Sequence, residues 1–76
     1  MAKKHHVVGL IQYHDIETGF WGITDEQGRQ WQPIMLPEAL QKSGLKARIN
    51  LKEVNQVASA MMWGKPVQIE DYEILD

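Results

Sequence analysis

Leu45-Lys46-Ala47-Arg48-Ile49-Asn50-Leu51-Lys52 alternates apolar and polar residues without a break. Successive side chains of an extended chain point to opposite faces, so Leu45, Ala47, Ile49 and Leu51 share one face and Lys46, Arg48, Asn50 and Lys52 the other. The segment from Leu45 to Val54 therefore reads as a strand with one buried face. A face of that kind needs partners, which the flanking sequence has to supply.

Immediately upstream, Leu36-Pro37-Glu38-Ala39-Leu40-Gln41-Lys42-Ser43-Gly44 carries helical punctuation. Proline suits a first helical turn, an acid follows it, and lysine and glycine close the far end. The spacing predicts a helix of about two turns at most, with Leu36 and Leu40 facing inward and plugging one open end of the sheet. Further upstream the chain reads as a meander. The first strand runs from His6 to Ile16, and Gly9 within it marks a bulge, a sharp coil or a close backbone approach of the kind a small barrel needs to close. Asp15 to Gly19 is a polar connection, and Phe20 to Thr24 returns as the second strand of a hairpin. Asp25-Glu26-Gln27-Gly28 is a tight turn ending on a residue that accepts positive φ. Arg29 to Ile34 is the third strand, ended or confined to an edge by Pro33.

Downstream, Asn55-Gln56 turns the chain, and Val57 to Trp63 and Pro66 to Leu75 supply the remaining β material. Val54, Val57, Ala58 and Met61 also fall at helical spacing, so residues 54–62 read as strand or as helix. In the last segment the apolar parity changes between Val67 and Ile69 on one side and Tyr72 and Ile74 on the other. A bulge near Glu70 and Asp71 accounts for the change.

The chain has 76 residues, 43% of them hydrophobic and 24% charged, which is the balance of a globular domain rather than of a disordered segment. We read residues 1–76 as one domain with residues 1–5 as a frayed start. The uncharged stretch from Val54 to Gly64 is too short and too polar to span a bilayer, and no signal peptide is evident. With no cysteine, disulfides, thiolate metal sites and thiol nucleophiles are excluded, and a reducing cytoplasm is the expected location. The net charge of -2 makes the chain as a whole weakly repelled by a phosphate backbone.

Three strands, a short helix and two further strands is the order of an OB-fold, a mainly β, five-stranded Greek-key barrel. Gly9-Leu10-Ile11-Gln12-Tyr13, Thr18-Gly19-Phe20-Trp21-Gly22-Ile23 and Asp25-Glu26-Gln27-Gly28 together resemble the opening of a cold-shock domain. Gly19 to Ile23, Leu36 to Glu38 and Met62 to Gly64 are also similar to a group of small uncharacterised prokaryotic domains, bacterial ones among them. That second resemblance implies a fold and brings no activity with it. The first implies unpaired bases stacked on exposed aromatics, but this chain departs from the cold-shock pattern where that chemistry would be. Thr18 stands where the family has a basic residue, the third strand offers only Trp31, and Asp15, Glu17, Asp25 and Glu26 make the adjoining loops acidic.

Three sets of side chains are candidates for function. Trp21, Trp31 and Trp63, with Tyr13 and Phe20, form either core or a binding platform. Phe20 and Trp21 must point oppositely, so Trp21 is the exposed candidate if Phe20 faces the core. Lys46, Arg48 and Lys52 form the outer face of the alternating strand, a solvated surface or a set of phosphate contacts. His5, His6 and His14, with Asp15 and Glu17, are metal-ligand types at a spacing that matches no metal motif, so no metal or other cofactor is expected. Ser43, Ser59 and the pair Glu70 and Asp71 lack the neighbours that catalysis needs, and the expectation is a protein that is not an enzyme. Met61-Met62-Trp63-Gly64 is adaptable, aromatic surface, and an edge strand of that content invites pairing. A homodimer through the fifth strand or its hairpin, or a protein partner docked there, is the expected mode of action. Single-stranded nucleic-acid binding through Trp21, Trp31, Lys46, Arg48 and Lys52 is the alternative.

Overall fold

The computed structural model describes residues 3–16, 19–54 and 63–75. Five strands, β1 (Lys4–His14), β2 (Phe20–Asp25), β3 (Gln30–Pro33), β4 (Leu45–Glu53) and β5 (Lys65–Ile74), close on one another in the order β1-β2-β3-β5-β4. Every pairing is antiparallel except β3 with β5. That order, with a parallel β3–β5 closure, is the OB-like Greek-key barrel the segment order predicts.

Closure depends on β1, which pairs with β4 from Lys4 to Ile11 and with β2 from Gly9 to His14. Residues Gly9 to Ile11 serve both ladders, so the strand must coil sharply there. Gly9 faces inward, and a Cβ at this position would lie 2.9 Å from the Thr24 carbonyl oxygen and 2.9 Å from Ile23 Cγ2. The close backbone approach expected of Gly9 is thus real. Lys4 and His5, expected within a frayed start, are instead paired with Lys52 and Leu51, because β4 is long enough to offer them a ladder.

The alternation of β4 is as read: Ala47, Ile49 and Leu51 are fully buried and Leu45 packs against them, while Lys46 and Arg48 are exposed. Val7, Ile11, Ile23, Trp31 and Val67 complete the core from the other strands. Leu36 and Leu40 also join it as expected, but the helix that was to carry them is a single 3-10 turn, Glu38–Leu40. The chain needs only to drop two leucines into the open end, and Gly44 N–H already donates to the Ile11 carbonyl, leaving no room for a second turn. The parity change in β5 is a bulge: Asp71 opposes Asn50 and Ile69 opposes Leu51, so Glu70 has no opposing residue on β4 among the described residues. The choice between strand and helix for residues 55–62 falls outside the described residues. No helix among the described residues is long and apolar enough to cross a membrane.

Candidate functional site

The structure separates the aromatic candidates. Trp31 is 4% exposed, part of the core rather than of a platform. Trp21 faces inward as well, packed against the core and edge-on to Tyr13 at 5.1 Å. Alternation therefore puts Phe20, not Trp21, on the outer face of β2. There Phe20 stacks with His14 at 4.9 Å, and Trp63 closes over both, 4.6 Å from His14 and 5.6 Å from Phe20. Gly22 makes the space: a Cβ on it would lie 2.5 Å from the Trp63 ring. The Gln32 side-chain oxygen accepts the backbone N–H groups of Trp63 and Gly64, fixing the entry to β5. Two motif fragments far apart in sequence, Gly19 to Ile23 and Trp63-Gly64, meet here. Their meeting gives both a structural reason, a clasp of β5 onto β2 and β3. Met61 and Met62 lie outside the described residues.

The cationic candidates do not join this cluster. Lys46, Arg48 and Lys52 lie on the outer face of β4, beyond β1, opposite Leu10, Val8 and Lys4. Arg48 is engaged by Glu73 at 2.6 Å. The histidines are likewise dispersed. His5 donates to Glu53 at 2.6 Å and lies 4.6 Å from Trp31, His6 meets Asn50, and His14 belongs to the Phe20 cluster with its buried Nε2 unpartnered among the described residues. The hydrogen bond from His5, helped by the charge of Lys65 against the opposing pull of burial, holds the Glu53 carboxyl below its ordinary range.

Asp25, which the sequence offers as a turn and acidic loop residue, is the one buried charged side chain among the described residues. Its Oδ1 accepts the backbone N–H groups of Gln27 and Arg29, each at 2.9 Å. Its Oδ2 accepts Arg29 Nε at 2.8 Å and Trp31 Nε1 at 3.0 Å. Burial pushes this carboxyl up, but the bonds from Trp31, the two backbone groups and the guanidinium outweigh it, and its pKa is lowered. The signal was present in the sequence, since an aspartate opening a turn characteristically accepts backbone N–H two residues on. That Trp31 would deliver its indole N–H to the same carboxylate was not.

The remaining candidate is the edge of β5. Beyond Val67, where β3 ends, β5 is paired with β4 alone among the described residues. Leu75 N–H donates to the Lys46 carbonyl on the β4 side, whereas Tyr72 N–H is met by its neighbour's side chain, Asp71 Oδ1, at 2.9 Å. Backbone groups alternate in direction along a strand, so those of Tyr72 and Ile74 point to the open side. Tyr72, Ile74 and Leu75 are 38%, 46% and 37% exposed. Ile34 and Met35 are also exposed, and Ile34 N–H bonds to the Val67 carbonyl where this edge begins.

No family model matches the chain, and no curated protein or solved structure matches it either. The functional reading therefore rests on the geometry.

Proposed function

We propose that the chain is a non-catalytic assembly module that associates with a second copy of itself through β5. The open edge carries the reading. An exposed strand with unpaired backbone groups and apolar side chains is a template for another strand. The Asp71 side chain occupies one edge group in the free protein, as an edge guard does, and makes the association reversible. The cytoplasm suits such a module, since a chain with no cysteine asks nothing of an oxidising compartment. The small prokaryotic group is the better family expectation than the cold-shock proteins, because the clasp accounts for Phe20, Gly22, Trp63 and Gly64 among its shared residues. Single-stranded nucleic acid, the alternative, loses Trp21 and Trp31 as stacking groups and would have to use Phe20 and Trp63.

Sedimentation velocity over a range of concentrations tests the proposal. Wild-type protein is expected to shift from monomer to dimer, and Tyr72→Pro to remain monomeric with an unchanged far-ultraviolet spectrum. Proline there removes an N–H that faces away from β4, sparing the internal ladder. A wild-type chain that stays monomeric at its solubility limit would overturn the reading.

A further inference from the structure

The edge of β5 also specifies how a second copy sits on it. We infer that two β5 strands pair antiparallel about a two-fold axis at Glu73, with Tyr72 of each opposite the partner's Ile74. This inference rests on self-association through β5 and deepens it.

The choice of register follows from faces, backbone direction and charge. Tyr72 and Ile74 lie opposite Ile49 and Ala47 on β4, and so share one face of the sheet. Asp71 and Glu73, opposite Asn50 and Arg48, share the other. A continuous sheet requires like faces to meet, which leaves only registers shifted by whole two-residue steps. With Glu73 on the axis, Tyr72 and the partner's Ile74 present their outward N–H and C=O groups to each other and form hydrogen-bonded pairs once Asp71 Oδ1 releases the Tyr72 N–H. Their side chains then make an aromatic–aliphatic contact on the common face, twice over by symmetry. The axis brings the two Glu73 carboxylates together, but each already holds its own Arg48 at 2.6 Å. Two neutral pairs meet rather than two bare charges.

The neighbouring registers are worse for reasons visible in the strand. With Tyr72 on the axis, Asp71 faces the partner's Glu73 twice. Asp71 has no cationic partner among the described residues, so like charges stand opposed. Ile74 would also face Glu70, the unpaired residue of the bulge. With Asp71 on the axis, two unneutralised aspartates meet. With Ile74 on the axis, the described residues form one hydrogen-bonded pair, Ile74 with the partner's Ile74, where the Glu73 axis gives two.

Single-cysteine variants distinguish these arrangements, and no native cysteine interferes. Asp71, Tyr72, Glu73 and Ile74 each oppose themselves in one register only. Residues opposed in a non-hydrogen-bonded antiparallel pair have Cα atoms about 4.5 Å apart, within disulfide reach. Under mild oxidation Glu73→Cys is expected to convert completely to a disulfide-linked dimer, while cysteine at 71, 72 or 74 leaves most of the chain reduced. Preferential crosslinking at 71, 72 or 74 would overturn the register while leaving the assembly reading intact. A dimer abolished by Tyr72→Pro but crosslinked at none of the four would do the same. A wild-type monomer that crosslinks nowhere would remove both. Asp71→Ala, which frees the edge N–H of Tyr72, is expected to tighten the wild-type dimer; weaker association would count against this use of the edge.

Discussion

Asp25→Ala is expected to lower the melting temperature by on the order of 15 °C, making it one of the two most damaging substitutions considered. The carboxylate is the common acceptor for Gln27, Arg29 and Trp31. Removing it leaves the Trp31 indole N–H unpaired inside the barrel and two turn N–H groups without an acceptor. Stranding buried donors, together with the loss of a buried charged partner, costs about 3 kcal/mol. In a domain of this size each kcal/mol is worth about 4–8 °C. Arg29→Ala removes only one donor from a side chain that is 47% exposed, and about 1 kcal/mol or less is expected. Thermal unfolding of the two variants checks the ratio, and equal losses would mean that the ion pair, not the buried acceptor, carries the effect.

The same carboxylate gives the barrel an acid limb. Its folded pKa is lowered, so near pH 4 and just below the unfolded chain binds more protons than the native one. The stability contributed by Asp25 is therefore present above its unfolded value of about 4 and lost as pH falls through the folded value. Glu53, also lowered, acts in the same direction. In denaturant titrations the difference between wild type and Asp25→Ala should be constant at neutral pH and shrink on acidification below about pH 4. A difference that does not change with pH would show that the charge of Asp25 contributes nothing.

Gly9→Val is expected to be at least as damaging, with little folded protein at 37 °C. The obstacle is space rather than dihedral freedom. Even the first carbon would stand 2.9 Å from the Thr24 carbonyl, a backbone atom that cannot rotate away, and 3.3 Å from Asp25 Cα. Overpacking of a core costs about 1–3 kcal/mol and more when the backbone must move. Here it has to move where β1 serves both β2 and β4. Gly28→Ala is the control: that turn residue has a φ of 81° with nothing within 4 Å of a new Cβ, so the cost is the conformational penalty of about 1 kcal/mol. Urea denaturation of both proteins would separate the two causes.

Much of the fold was readable because its signals are local. The alternation in β4, the turn at Asp25 to Gly28, the stop at Pro33 and the parity change at Glu70 each lie within a few residues and obey the two-residue period of a strand. The short helix was overestimated for the same reason. Its capping residues are local preferences for a helix, whereas the barrel end admits only a 3-10 turn carrying Leu36 and Leu40. The candidate site was less readable. Phe20 and Trp21 have equivalent claims to the core by composition, and only the register His14 opposite Phe20 and Tyr13 opposite Trp21 turns one in and the other out.

By itself the sequence determined the succession of strands along the chain, the inward face of β4 and the need for Gly9, since periodicity and backbone sterics act between near neighbours. Tertiary structure alone decided the rest. It put Trp31 on Asp25 and Trp63 on Gly22. Among the described residues it also left β5 open beyond Val67, because β3 is too short to cover it. Those outcomes depend on how far each strand runs beside its neighbour, a property of the closed barrel rather than of any one segment.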